Sequence, residues 1–166
     1  MKNLFTSLLI LLALDGTLFS QSKPFDIVTF TAPKGWARSD KPGSRTYTVL
    51  DQSNSVYGLV AIYASVPSSG DPVKDFTRTW DTMVKQYFGA GIAPAPMRAL
   101  PQEGYIGYKG TSIGKSGGKP TTVTLVNYTG GGKTLSIVLN YNDNKYELVL
   151  DKFLQSIKLE PVATGK

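Results

Sequence analysis

Apolar and polar positions change period three times along the chain. Residues 25–31 (Phe-Asp-Ile-Val-Thr-Phe-Thr) are β-branched and aromatic, and Pro33-Lys34-Gly35 stops them, which reads as a strand followed by a turn. Residues 45–50 alternate, with Tyr47 and Val49 on one face, and Asp51-Gln52-Ser53-Asn54-Ser55 supplies turn chemistry. Residues 56–65 form a third strand, with Tyr57, Leu59, Ala61 and Tyr63 on one side and Val60 and Ile62 on the other. These three strands predict an antiparallel meander.

The period becomes helical after Pro67-Ser68-Ser69-Gly70. Asp71 is a good N-cap and Pro72 is pre-set for the first helical position. Val73, Phe76, Trp80, Val84 and Tyr87 then recur at spacings of three and four, with Met83 and Phe88 widening the stripe, so Trp80 is expected in the core. Lys74, Asp75, Arg78, Asp81 and Lys85 fill the polar face, and Gly89 and Gly91 end the helix. An irregular stretch with Pro94, Pro96 and Pro101 leads back to strands at 105–113, 121–128 and 134–141, separated by glycine-rich turns. Asn142 or Asp143 caps a closing helix through Tyr146, Val149, Leu150, Phe153, Leu154 and Ile157. The expected class is α+β: an antiparallel sheet of about six strands covered by two amphipathic helices.

The first residues change the picture of where this domain works. Lys2, a largely apolar run over 4–19 and Ser20-Gln21-Ser22 make the three-part layout of a secretory leader. Cleavage is expected between Ser22 and Lys23, with the bond after Ser20 as the competitor. Asp15 and Gly16 interrupt the run, whereas a membrane span needs roughly 20 predominantly apolar residues. No cysteine follows it to carry a lipoprotein anchor. The expected organisation is therefore a leader over 1–22, one domain over 23–160 and a frayed tail over 161–166, exported to the periplasm or beyond.

Composition narrows the chemistry. The 166 residues contain no histidine and no cysteine. A Ser-His-Asp triad, a cysteine nucleophile, a His/Cys zinc site and haem ligation by either residue are all excluded. Asp71 and Asp143 belong at helix starts, Asp40 and Asp51 in turns, Asp26 in a strand, and Asp75, Asp81, Glu147 and Asp151 on polar helix faces. Asn142-Asp143-Asn144 fails as a calcium loop, because the sixth position is Glu147 and the twelfth Phe153. Gly114-Lys115-Ser116 and Gly132-Lys133-Thr134 lack the glycine five residues upstream that a phosphate-binding loop needs. Asn127-Tyr128-Thr129 is an N-glycosylation acceptor sequence at the end of a strand. No cofactor is expected.

The chain resembles the PsbP/DcrB-like family of small exported domains. The resemblance rests on the opening strand running into Pro33-Lys34-Gly35-Trp36, the helix begun by Asp71-Pro72 with Phe76 and Trp80, and the terminal Phe153-Leu154-Gln155-Ser156-Ile157-Lys158. It implies an antiparallel sheet sandwiched by helices and a non-enzymatic, accessory role. The family has no shared active site, so it transfers no site residue.

Charge adds one surface expectation. Net charge is +6 with basic residues scattered and no long basic run, which points to an acidic protein or envelope surface and not to nucleic acid. Tracing the strands up and down places the turn of Lys34, Arg38 and Lys41 and the turn of Lys115 and Lys119 at one pole, the expected docking end. The first expectation for function is thus an exported, non-enzymatic binding or accessory protein. A carboxylate-dependent glycan hydrolase, or a carrier holding a small apolar ligand beneath residues 92–101, are the alternatives.

Overall fold

The computed structural model describes residues 24–91 and 93–162; the expected leader lies outside them. The central feature is a seven-stranded sheet in which every neighbouring pair is antiparallel. Its order is β2 (Ala37–Lys41), β3 (Ser44–Asp51), β4 (Val56–Pro67), β8 (Lys133–Tyr141), β7 (Lys119–Gly130), β6 (Ile106–Ser116) and β5 (Met97–Arg98). β1 (Val28–Thr29) and β9 (Lys158–Leu159) form a separate two-stranded ribbon. A helical run covers one face: α1 (Pro72–Thr79), a π-helical segment (Trp80–Lys85) and α2 (Gln86–Phe88). A 3-10 turn (Asn144–Tyr146) leads into α3 (Glu147–Gln155), which covers the other. The class is α+β, an antiparallel sheet between two helical layers.

Alternation along the inner strands feeds both layers. Val60, Ile62, Val126, Tyr128, Leu135, Ile137 and Leu139 point toward α3 and join Leu150, Phe153 and Leu154 in the larger core. Ala61, Val123, Leu125 and Val138 point the opposite way, onto Phe76, Trp80 and Val84. The helix ends form as the sequence predicts. The Asp71 carboxylate accepts the amides of Val73 and Lys74 at 3.0 and 3.2 Å, and Gly89 ends the run in a left-handed conformation at φ 57°. Asp143 caps the second helical element through the Lys145 amide at 2.8 Å.

Two elements differ from expectation. Only Val28–Thr29 of the expected first strand is extended, and it pairs with β9 outside the main sheet. Asp26 adopts φ 52° instead of a strand conformation, and its carboxylate accepts the Ser65 amide at 2.6 Å, where β4 shifts register between Tyr63 and Val66. The meander's true first strand is β2, whose five residues are all exposed. An edge strand with both faces wet carries no apolar alternation to read, and its charges suit an unprotected edge. Val162 packs against Gly104 and Gly131, and residues 163–166 of the expected tail lie outside the described residues.

Candidate functional site

The run α1–π–α2 packs chiefly on β6, β7 and β8, reaches Ala61 of β4, and leaves Leu59 and Tyr63 on the same face of β4 only partly covered. Between the run and β3–β4 is a groove of about 500 Å³. Leu59, Ala61, Tyr63 and Val138 form its floor, Met83, Tyr87 and Phe88 its wall, and Thr46, Thr82 and Gln86 its polar rim. The floor exists because odd-numbered positions of β4 share one face, as its alternation predicts. No lining residue is charged. The Tyr63 phenol is held above its ordinary pKa, by burial first and then by nearby Tyr87, so it stays neutral at physiological pH.

The π-helical segment shapes the wall. In a regular α-helix each four-residue step overshoots a full turn, so a side-chain row at i, i+4, i+8 drifts around the axis. A π turn takes less rotation per residue and cancels that drift. Phe76, Trp80 and Val84 therefore stay in line over the sheet, each fully buried. Trp80 is the core residue expected, its indole N–H donating to the Gly91 carbonyl at 3.1 Å. The ends of the expected stripe are not core: Val73 is 43% and Tyr87 75% exposed. Rephasing turns Met83 and Tyr87 toward the strands instead. π turns are rare and recur at functional sites.

At the start of α1 sits a residue that sequence reading misplaced. Asp75, expected on the polar face, is fully buried. Its carboxylate accepts hydrogen bonds from the Ser68 hydroxyl (2.6 Å), the Thr134 hydroxyl (2.8 Å), the Ser69 amide (3.1 Å) and the Arg78 guanidinium (2.8 Å). Burial pushes its pKa up, but the bonds from Ser68, Thr134 and Ser69 outweigh it and hold it at about 2. Asn127, also buried, donates to the Asp75 carbonyl and the Thr79 hydroxyl. Asn127 of the acceptor sequence is thus enclosed beneath α1 in the folded protein.

A second, more polar groove lies on the opposite face between α3 and β5–β6. Its two contiguous parts, about 320 and 180 Å³, share Lys109, Asp151 and Leu154. Glu147 and Asp151 both line it, and the Tyr141 hydroxyl donates to Glu147 at 3.1 Å. These carboxylates stand one helical turn apart on a single wall, whereas glycoside hydrolysis needs one on each side of the scissile bond. Among the described residues no group of three or more Asp or Glu side chains is placed to hold a metal ion. The segment expected to roof an apolar cavity does something else. Pro94 closes over Gly110 and Phe76 of the core, while Ala99, Leu100 and Pro101 rim the polar groove. The apolar groove lies beyond the helix, beside Met83 and Tyr87.

The expected basic pole is not assembled. Lys41 leads into the turn at one end of the sheet, level with Tyr63. Lys115 and Lys119 form the β6–β7 hairpin at the other end, level with the Asp51–Ser55 turn. Lys34 precedes Trp36, which packs on Gly58, and so lies at that second end too, but beside the opposite edge of the sheet. Five strand spacings, about 24 Å, separate β2 from β6. Arg38 lies along β2, where it and Arg45 bind Asp40 and hold that carboxyl at about 2. The tracing fails because the helix is not the only return path. It carries the chain from one end to the other, and residues 89–105 carry it back, which reverses β6.

No family model matches the chain, and no curated protein matches it. Solved structures do. The Mycobacterium tuberculosis protein LpqN, involved in cell envelope biogenesis, is 15% identical at a TM-score of 0.51, over 81% of this chain and 83% of LpqN. A Bacteroides thetaiotaomicron protein is likewise 15% identical at a TM-score of 0.51, over 84% of this chain but 49% of its own length. What is shared is the fold. The chain thus spans about half of the Bacteroides protein and most of LpqN. Among the described residues no helix is long and apolar enough to cross a membrane.

Proposed function

We propose that this chain is an exported, non-enzymatic accessory protein of PsbP/DcrB-like fold that seats an uncharged, elongated apolar group. The groove between α1–α2 and β3–β4 is its seat. The observation that carries this reading is the groove itself: about 500 Å³, within the range of small-molecule sites, apolar in floor and wall, and shaped by a π turn. The likeness to LpqN supports a setting in the cell envelope, where acyl chains are abundant apolar groups.

Palmitate titrated into the purified protein and followed by calorimetry tests the proposal. Micromolar binding is expected, lost by tenfold or more in Leu59→Lys, which places a charged chain across the floor at a half-buried position. Urea midpoints of the two proteins should agree closely, since Leu59 lies at the margin of the core. Absence of binding by the wild type, or equal binding by Leu59→Lys, would reject the groove as the site.

A further inference from the structure

The sheet has one edge that its own chain leaves half paired. β5 covers only the first part of β6, through Met97 opposite Lys109 and Arg98 opposite Tyr108, and the Ala99 amide donates to the Gly107 carbonyl. That bond shows Gly107 turning its backbone groups outward. Strand periodicity of two then turns those of Lys109, Thr111, Ile113 and Lys115 outward as well. Beyond Lys109 none of these has a strand partner among the described residues. The side chains of Thr111, Ile113 and Lys115 are exposed, and Ile113, apolar and mid-strand, is 64% exposed.

Natural sheets usually blunt such an edge by shortness, covering or inward charge. Here the free stretch covers five residues, about 17 Å of strand. It is flanked by positive charge: Lys115 and Lys119 face each other's strands at the hairpin and form no ion pair among the described residues. β6 itself carries no carboxylate. Glu147 and Asp151 line the groove beside Lys109 and Thr111, toward the middle of the strand. In a second copy paired antiparallel about Ile113, Lys115 would face Thr111, and no carboxylate would lie on the facing strand.

We propose that the free stretch of β6, from Thr111 to Lys115, is a docking edge on which an extended, acidic segment of a partner protein adds as a further strand. Main-chain bonds to Thr111, Ile113 and Lys115 supply affinity, a side chain over Ile113 supplies apolar contact, and carboxylates near Lys115 and Lys119 supply selection.

Two synthetic heptapeptides of alternating valine and glutamate, or valine and lysine, test the proposal by amide hydrogen exchange on the full mature chain. A third, the glutamate peptide with alternate backbone nitrogens methylated, removes its capacity to pair. The glutamate peptide should slow exchange at Thr111, Ile113 and Lys115 and bind at least tenfold more tightly than the lysine peptide. The methylated peptide should leave those amides unprotected. Ile113→Pro should abolish binding while keeping its urea midpoint, because the lost N–H points away from β7. Lys115→Glu with Lys119→Glu should reverse the peptide preference. Protection elsewhere, no protection, equal binding of both charged peptides, or protection that grows with protein concentration alone would overturn the proposal.

Discussion

Replacing Asp75 by asparagine keeps the shape of the side chain and removes the charge at the centre of the contact between α1 and the sheet. Four donors lose a carboxylate partner. Ser69 and Arg78 are exposed enough to find water, since the Arg78 side chain is 53% exposed. The Ser68 hydroxyl is half-buried, and that of Thr134 is cut off from water: Thr134 is 1% exposed and retains only its bond with Thr129. Hydrogen bonds to a charged group are worth about 1.5–3 kcal/mol each, and the relieved burial of the charge returns part of that sum. A loss of about 2–4 kcal/mol at pH 7 is therefore expected, read from urea denaturation. Titration gives an independent check. A carboxyl at about 2 when folded and about 3.9 when unfolded contributes about 2–3 kcal/mol of stability at neutral pH. Because the folded value is the lower one, that stability is complete above about pH 4–5 and disappears as pH falls through the folded value near 2. The difference between wild type and Asp75→Asn should accordingly shrink from pH 7 to pH 2.5, whatever the low-titrating Asp40 and Asp51 add to both proteins. A difference below about 0.5 kcal/mol at pH 7, or one that stays constant down to pH 2.5, would refute the account.

Other outcomes follow from the same structure. Trp80→Ala removes a fully buried indole and should cost about 3–5 kcal/mol, seen as a lower denaturation midpoint; an unmoved midpoint would contradict its core position. Gly114→Ala sets a Cβ 2.8 Å from the Phe88 carbonyl oxygen, so α2 must shift. A cost of about 1–3 kcal/mol together with weaker palmitate binding is expected, and binding unchanged at a lowered midpoint would detach the groove wall from this contact. N-terminal sequencing of protein from the native host should begin at Lys23 or Gln21; a retained Met1 in a cytoplasmic fraction would end the export proposal.

Period and punctuation along the chain determined a good deal. The helix of Asp71 to Gly89, the three later strands, the closing helix and the buried Trp80 all follow from side chains that repeat every three to four or every two residues. Such patterns report which local face is apolar, and a face that is apolar must be covered. Asp75 escaped because its burial depends on Thr134, 59 residues away, a contact that no local period records. Its i, i+4 neighbour Thr79, likewise buried, is the one sequence hint of a polar contact under the helix. β2 escaped because an edge strand has no buried side, and β1 because its partner is the far end of the chain, Thr29 pairing with Lys158. The apolar groove is likewise a tertiary product. Leu59, Ala61 and Tyr63 were legible as one face of a strand, but only the position of the helix, chiefly over β6–β8, decides that a groove remains over this face. The expected pole shows the same division: the hairpin of Lys115 and Lys119 was legible, while the end of the sheet it occupies depends on how the chain returns to β6, with Pro94 and Ala99 placed against that strand, and Lys34 and Lys41 are parted by the unread strand β2.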